Sequence, residues 1–403
     1  MSLKKIDEGV FCIAREITHG DMLFEGIWEL PTGVTVNSYL IKGEKNVLID
    51  ATMSDDDSQE AFIADLAQTG TALSDIDILI LNHLEPDHSG FLPQVIKQNP
   101  SLRIYTTKKG VSFIKNFFKI ENNLHEVTDG STLPIDEKTG TLQFFETPNV
   151  HWPETMMCYF VEKKILFSCD CFGGFGATHG KLIDSEQSPE SLKQYEYETL
   201  RYYSNIMTSF NSFVLKAIEK VPQGVSVVCP SHGIIWKKNP QHIINLYKRY
   251  AAYGMEGNFE KEVCVIWSSM YGYTKKGVDA VICGLEKKGV PYTVIQIPNT
   301  AFTHALAFAY KAQALVLAMP TYEYKMFPPM AHLLDLFARK HFTKKTVLRI
   351  GCWGWIGGAK REYESCIEKM DWKNLPSYEW QGIPSNEDLK KLEALGEKLA
   401  ESL

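Results

Sequence analysis

Short apolar runs separated by turn residues fill the chain from residue 1 to about 255: Gly33–Ile41, Asn46–Ile49, Asp77–Leu81, Leu102–Thr106, Leu142–Glu146, Met157–Val161, Ile165–Ser168 and Ser226–Val228. Each has the length and side chains of a β-strand. Helical periodicity lies between them, around residues 57–68 and 189–219. Together these predict an α/β sandwich. Near Ala251–Glu262 the periodicity lapses, which marks a linker. Beyond it, strands at Val263–Trp267, Tyr292–Ile297, Ala314–Ala318, Thr346–Gly351 and, more weakly, Ser377–Trp380 alternate with amphipathic helices, the last over Glu387–Ser402. Strands and crossover helices in that rhythm predict a doubly wound, five-stranded parallel sheet. The expected domains are 1–255 and 260–403.

Composition supports this division. A chain of 403 residues is longer than one hydrophobic core usually serves, and 44% hydrophobic with 23% charged residues is ordinary globular composition. The formal net charge is −7, and basic residues come as isolated pairs such as Lys108-Lys109, Lys237-Lys238 and Lys344-Lys345, which disfavours a nucleic-acid partner. The start of the chain runs into Asp7 and Glu8 without the apolar stretch of a secretory signal, and no window reaches the length of a membrane span. Nine cysteines, an odd number with no CxxC pair, read as thiols in a reducing compartment, so a cytoplasmic location is expected. The missing CxxC pairs argue against a Cys-ligated iron centre of the rubredoxin type on this chain, so any electron donor is expected to be a separate molecule.

The chemistry concentrates after the apolar run Ile78–Leu81, where Asn82-His83-Leu84-Glu85-Pro86-Asp87-His88-Ser89-Gly90 places four potential metal ligands among six residues. Pro86 and Gly90 predict a loop at the strand's end, with His83 and Glu85 turned one way and Asp87 and His88 another. Four ionisable groups side by side incur desolvation and like-charge repulsion unless a cation compensates them. His151, Asp170 and His232 follow at later strand ends. Four imidazoles and three carboxylates crowd one ion but suit two, with one carboxylate shared and positions left open for substrate. Tyr195, Trp152 and Glu154 are candidate neighbours of the site, although packing accounts for each more simply.

In the second domain, Val263–Trp267 is followed by Ser269, Met270, Tyr271, Gly272, Tyr273 and Thr274 and then a helix, a turn whose backbone N–H groups and helix dipole suit an anion. No lysine directly follows the glycine, so this is not a nucleoside-triphosphate loop. Two further loops, Pro320-Thr321-Tyr322-Glu323 and Trp353-Gly354-Trp355, fall at the carboxyl ends of the third and fourth strands. Ligands of open α/β sheets bind at that edge, and Tyr322, Trp353 and Trp355 could stack on a flat ring.

The order HxExDH, then H, then D, then H resembles the metallo-β-lactamase-like fold in its flavodiiron version, along the whole chain. The zinc hydrolases of that fold carry HxHxDH. Glu85 in place of the second histidine makes a harder, more anionic site that favours iron. The resemblance implies a metallo-β-lactamase-like αββα sandwich carrying a di-iron centre, followed by a flavodoxin-like domain binding FMN through the loops above. It further implies two irons per chain, His83, Glu85 and His151 on one, Asp87, His88 and His232 on the other, and Asp170 bridging, with His88 not ligating in every member. The implied activity is reduction of dioxygen to water or of nitric oxide to nitrous oxide, with electrons relayed through FMN from a rubredoxin, a reductase or a reduced deazaflavin. Dioxygen is slightly favoured, since FMN completes its four-electron count. The implied assembly is a head-to-tail homodimer or a dimer of dimers. Two alternatives stay open: a dinuclear zinc hydrolase with a flavodoxin-like appendage, and an electron carrier whose lactamase-like domain is structural.

Overall fold

A computed structural model describes residues 2–18 and 22–403 and divides the chain into two compact units. The first comprises 1–26, 30–203 and 212–249; the second comprises 27–29, 204–211 and 250–403.

The first unit is a sandwich of two sheets. Seven strands lie side by side in sequence order: Ser2–Asp7, Val10–Ile17, Val34–Ile41, Asn46–Ile49, Ile76–Ile80, Arg103–Thr107 and Leu124–Val127. Five more form the second sheet, also in order: Thr132–Asp136, Gly140–Glu146, Met156–Phe160, Ile165–Cys169 and Val227–Pro230. Side chains alternate between the two faces of a strand, and here both faces are covered. Val47, Ile49, Ile78 and Ile80 point between the sheets, against Phe144, Cys158 and Phe167. Leu48, Leu79 and Leu81 point outward, beneath Phe62, Leu66, Leu92 and Ile114 of flanking helices. Burial on both faces explains why these strands read as unbroken apolar runs, and a one-residue slip would exchange the two cores at once.

The second unit is a parallel sheet ordered Tyr292–Gln296, Glu260–Trp267, Ala312–Ala318, Lys345–Trp353, with Trp372–Asn374 and Tyr378–Gln381 both pairing along Lys345–Trp353. The order reverses between the first and third strands, as in flavodoxin-like sheets. Helices Tyr273–Lys287 and Asn386–Ala400 pack closely on one another: a Cβ on Gly284 would stand 2.1 Å from Glu393 O, and one on Gly396 2.2 Å from Val281 O.

The structure corrects the sequence reading in three places. Residues 251–256 are no linker but the end of the helix Pro240–Glu256, held by buried Tyr250, Ala251 and Tyr253. The fifth sheet position is filled by two short strands, because Leu375 N donates to Val347 O in the gap and keeps the chain alongside. The region 189–219 is interrupted: the helix Pro189–Tyr202 passes through a π-helical stretch, Tyr203–Met207, before Asn211–Glu219. Among the described residues no helix is long and apolar enough to cross a membrane.

Candidate metal centre and flavin cleft

The strand Ile76–Ile80 runs into Asn82, whose backbone N–H donates to Asp50 Oδ1 at 2.8 Å and fixes where the chain leaves the sheet. Pro86 opens a one-turn helix, Pro86–Ser89, in place of the expected open loop, because its preset φ suits a first helical position. Ser89 Oγ donates to the carbonyls of Leu84 and Glu85 at 2.8 and 2.9 Å and locks the turn. The turn separates the four groups as anticipated: His83 and Glu85 join His151 and Asp170 in one cluster, while Asp87 and His88 join His232 in another. Within each cluster one ligand atom per residue lies within 4.8 Å of every other.

Asp170 follows Cys169, whose left-handed φ of 56° ends the strand Ile165–Cys169 and re-aims the next side chain. One Asp170 oxygen, Oδ2, lies 3.4 Å from His83 Nε2 and 3.2 Å from His151 Nε2; the other, Oδ1, lies 3.2 Å from both His88 Nε2 and His232 Nε2. Each cluster also has its own carboxylate. Glu85 Oε2 lies 3.3 Å from His83 Nε2 and 3.0 Å from His151 Nε2, and Asp87 Oδ2 lies 3.3 Å from both His88 Nε2 and His232 Nε2.

Hydrogen bonds behind the imidazoles orient them. Nδ1 of His83 donates to Glu154 Oε1 at 2.7 Å, and the same oxygen accepts from Leu84 N at 3.0 Å. Nδ1 of His232 donates to Thr35 O at 2.7 Å. Both Nε2 atoms are thereby presented to the site, the arrangement that fixes the tautomer of a metal-bound histidine. His88 Nδ1 has no such partner among the described residues. Trp152 stands edge-on to His83 at 5.0 Å.

The electrostatics call for a cation. Among the described residues both oxygens of Asp87, both of Asp170, and Nε2 of His88 and His232 are buried without a hydrogen-bond partner, although they lie within ion-pair distance of one another. Lone pairs placed that close and yet misaligned for hydrogen bonding converge on shared points instead of on each other. Burial pulls His151 and His232 down, but Asp170 and Glu85 outweigh it and hold His151 up at about 9, while Asp170 and Asp87 hold His232 at about 10. Burial would raise Glu85, yet His151 and His83 hold it down at about 2. The donor set thus fits two divalent ions, each taking histidine nitrogens and carboxylate oxygens.

Tyr195 does not reach this centre: its hydroxyl donates to Ala177 O at 2.6 Å. The tyrosine beside it is Tyr202, 5.7 Å from the His232 ring, fully buried and with its hydroxyl unpartnered among the described residues. Seven residues along the same helix, it carries no sequence signal that sets it apart.

In the second unit a cleft of about 350 Å³ opens at the carboxyl ends of three strands. Of the anticipated residues, Ser269, Met270, Tyr271, Tyr273, Thr274, Pro320, Thr321, Tyr322, Glu323, Trp353, Gly354 and Trp355 line it. Gly272 does not. It sits behind them at the start of Tyr273–Lys287 with φ 87°, donating from its N–H to Ser269 Oγ at 2.9 Å. That conformation is cheap only for glycine. Cys352 and Gly382 also line the cleft and were not anticipated; Cys352 Sγ lies 3.3 Å from Thr274 Oγ1.

Residues 34–233 match the family described as ODP family beta lactamase. The chain is 30% identical over 375 residues to the anaerobic nitric oxide reductase flavorubredoxin of Escherichia coli K12, covering 91% of this chain and 76% of that one. The chain belongs to the flavodiiron protein family. A nitric oxide reductase of Moorella thermoacetica is 29% identical over 374 residues, covering 91% of this chain and 90% of the relative. A point mutant of a flavo di-iron protein from Thermotoga maritima superposes with a TM-score of 0.88 at 28% identity, over 99% of this chain and 98% of that one. Membership makes the chain an oxidoreductase and accounts for a histidine–carboxylate cluster and a flavodoxin-like cleft on one polypeptide.

Proposed function

We propose that the protein reduces dioxygen, nitric oxide or both at a di-iron centre, with electrons relayed through FMN from an external donor. The observation that carries this reading is the pair of ligand clusters joined by Asp170, one carboxylate oxygen toward each. In it His83, Glu85 and His151 would hold one iron and Asp87, His88 and His232 the other, with Asp170 shared between them. When bound, two ferrous ions would supply two electrons, enough for two nitric oxide molecules, and FMN would supply the further pair that dioxygen requires. Around it, Glu154 and Thr35 keep two imidazoles in the tautomer that presents Nε2. The buried Tyr202 hydroxyl is placed to donate a hydrogen bond into the space beside His232.

FMN is supported by the second-unit cleft: its volume is that of a small-molecule site, aromatic side chains line it, and Tyr273 and Thr274, which open the helix Tyr273–Lys287, belong to its lining. We assign residues 1–255 to the iron domain and 260–403 to the flavin domain. The functional unit is a head-to-tail homodimer or a dimer of dimers in the cytoplasm, served by a rubredoxin, a reductase or a reduced deazaflavin. The names of the Escherichia and Moorella relatives favour nitric oxide, while the electron count provided by a flavin partner keeps dioxygen open. Anaerobic reduction of the purified protein, followed by consumption of each gas in parallel, decides: turnover of either supports the reading, and turnover of neither by iron- and flavin-loaded protein refutes it.

A further inference from the structure

The strand Val34–Ile41 is buried along its whole length, yet Thr35, Asn37 and Tyr39, each at most 1% exposed, place polar groups at alternate positions. Side chains two residues apart on a strand point to the same face. All three reach residues 230–233, the loop that carries His232. Thr35 Oγ1 accepts from Gly233 N at 2.8 Å and donates to Gly233 O at 3.2 Å. Asn37 Nδ2 donates to Pro230 O and Gly233 O, both at 3.0 Å, and the Tyr39 hydroxyl donates to Pro230 O at 2.6 Å. The backbone N–H of Asn37 donates to Ser231 O at 2.8 Å, and Ser231 N donates at 2.8 Å to the carbonyl of Cys169, the residue before Asp170.

Asn37 is central to this network. Its amide nitrogen bridges carbonyls on either side of His232, so one planar group sets the span of the loop. An oxygen turned the same way would oppose two carbonyl oxygens, so only a donor serves there. Thr35 O accepts from His232 Nδ1 at 2.7 Å, so the strand's backbone orients the ring while its side chains hold the loop beneath it. These bonds end on the loop of His232 and touch none of His83, Glu85 and His151, the ligands of the other cluster. We infer that Asn37 is a positioning residue for the metal ion of the Asp87, His88 and His232 cluster, and not for the ion of the other. The inference rests on the proposed reading of the clusters as a di-iron centre.

Competition with a ferrous chelator, resolving the two iron-binding steps of the flavin-loaded protein, tests it. Asn37→Leu keeps a side chain of similar size and removes the donor. Supports behind a metal-bound histidine change affinity by about 10–100-fold, and Asn37 acts through the loop, so one of the two iron affinities is expected to fall roughly tenfold while the other holds. Asn99→Ala is the matched control. Asn99 Nδ2 likewise bridges two carbonyls, of Leu73 at 3.1 Å and Ile76 at 2.7 Å, but at the opposite end of the strand Ile76–Ile80 from His83. It is expected to lower stability and leave both affinities unchanged, whereas a merely structural role for Asn37 would make the two variants alike. Thr35→Val removes only the hydroxyl bound to Gly233 and keeps the carbonyl that His232 uses, so it provides the same comparison if Asn37→Leu folds poorly. Variants that hold both irons as tightly as the wild type overturn the inference, and so does equal weakening of both irons or weakening by Asn99→Ala. Wild-type protein that takes up fewer than two metal ions defeats the reading of the clusters and the inference together. Two bound zincs defeat the di-iron reading alone, and the same competition run with zinc then decides on Asn37.

Discussion

Replacing Glu154 by alanine tests how the site is held from behind. The Glu154 carboxylate is 1% exposed and receives two hydrogen bonds through one oxygen, from His83 Nδ1 at 2.7 Å and Leu84 N at 3.0 Å. Hydrogen bonds to a buried charge contribute about 1.5–3 kcal/mol each, and a buried donor left unpaired costs about 1–3 kcal/mol. The variant leaves two such donors, so metal-free protein is expected to lose on the order of 3 kcal/mol. His83 also loses what fixes its ring, and loss of such a support weakens metal binding by about 10–100-fold, or about 1.4–2.7 kcal/mol. Glu154→Gln keeps an accepting oxygen and loses only the charge, so its iron affinity should fall between the wild type and Glu154→Ala. Chelator competition measures affinity, and urea unfolding of the metal-free proteins measures stability. Glu154→Ala protein that binds iron as tightly as wild type would refute the reasoning.

Three further outcomes are expected. In the metal-free protein His151 is protonated up to about pH 9 and His232 up to about 10, so a divalent ion must displace those protons. Affinity therefore rises with pH from neutrality toward those values and then levels off, and calorimetry in buffers of different ionisation enthalpy should register proton release; a pH-independent affinity contradicts this. Trp355→Ala removes a side chain that is 77% exposed, so the melting temperature should hold while FMN affinity drops roughly 3–10-fold for the lost ring stacking. Tyr202→Phe deletes a hydroxyl with no partner among the described residues and should leave stability within about 0.5 kcal/mol while slowing turnover, whereas Tyr195→Phe loses its bond to Ala177 and about 1 kcal/mol of stability without slowing turnover.

Much of the metal centre was legible in the sequence because its logic is local. Four ligands sit within six consecutive residues, and the other three each follow a strand, so strand prediction alone brings them to one edge. Glu154 was legible only as a candidate neighbour, and Tyr202 not at all, for the opposite reason. Glu154 meets His83 across 71 residues of chain, and the sequence does not show which imidazole it will orient. Tyr195 and Tyr202 lie about two turns apart on one face of the helix Pro189–Tyr202, so position along the helix axis, which no propensity encodes, brings Tyr202 to the site and leaves Tyr195 at Ala177. Three of the four unread strands in the first unit's two large sheets, Ser2–Asp7, Leu124–Val127 and Thr132–Asp136, are sheet edges. Edge strands are short and tolerate charges and proline, as Lys4, Lys5 and Pro134 show, so the apolar alternation that reveals a strand is weakest there. The helix end at 251–256 read as a linker because Gly254 and Glu256 interrupt its short apolar stretch, and its burial is tertiary.

The central claim is that seven side chains on two clusters hold two irons. Quantifying iron and zinc per chain in protein from iron-replete cells, beside an Asp170→Ala variant, tests it most directly. The account predicts two irons per chain, an oxidised absorption that bleaches on reduction, and loss of iron in the variant that lacks the carboxylate shared by both clusters. Two zincs per chain, or no metal at all in the wild-type protein, would contradict it.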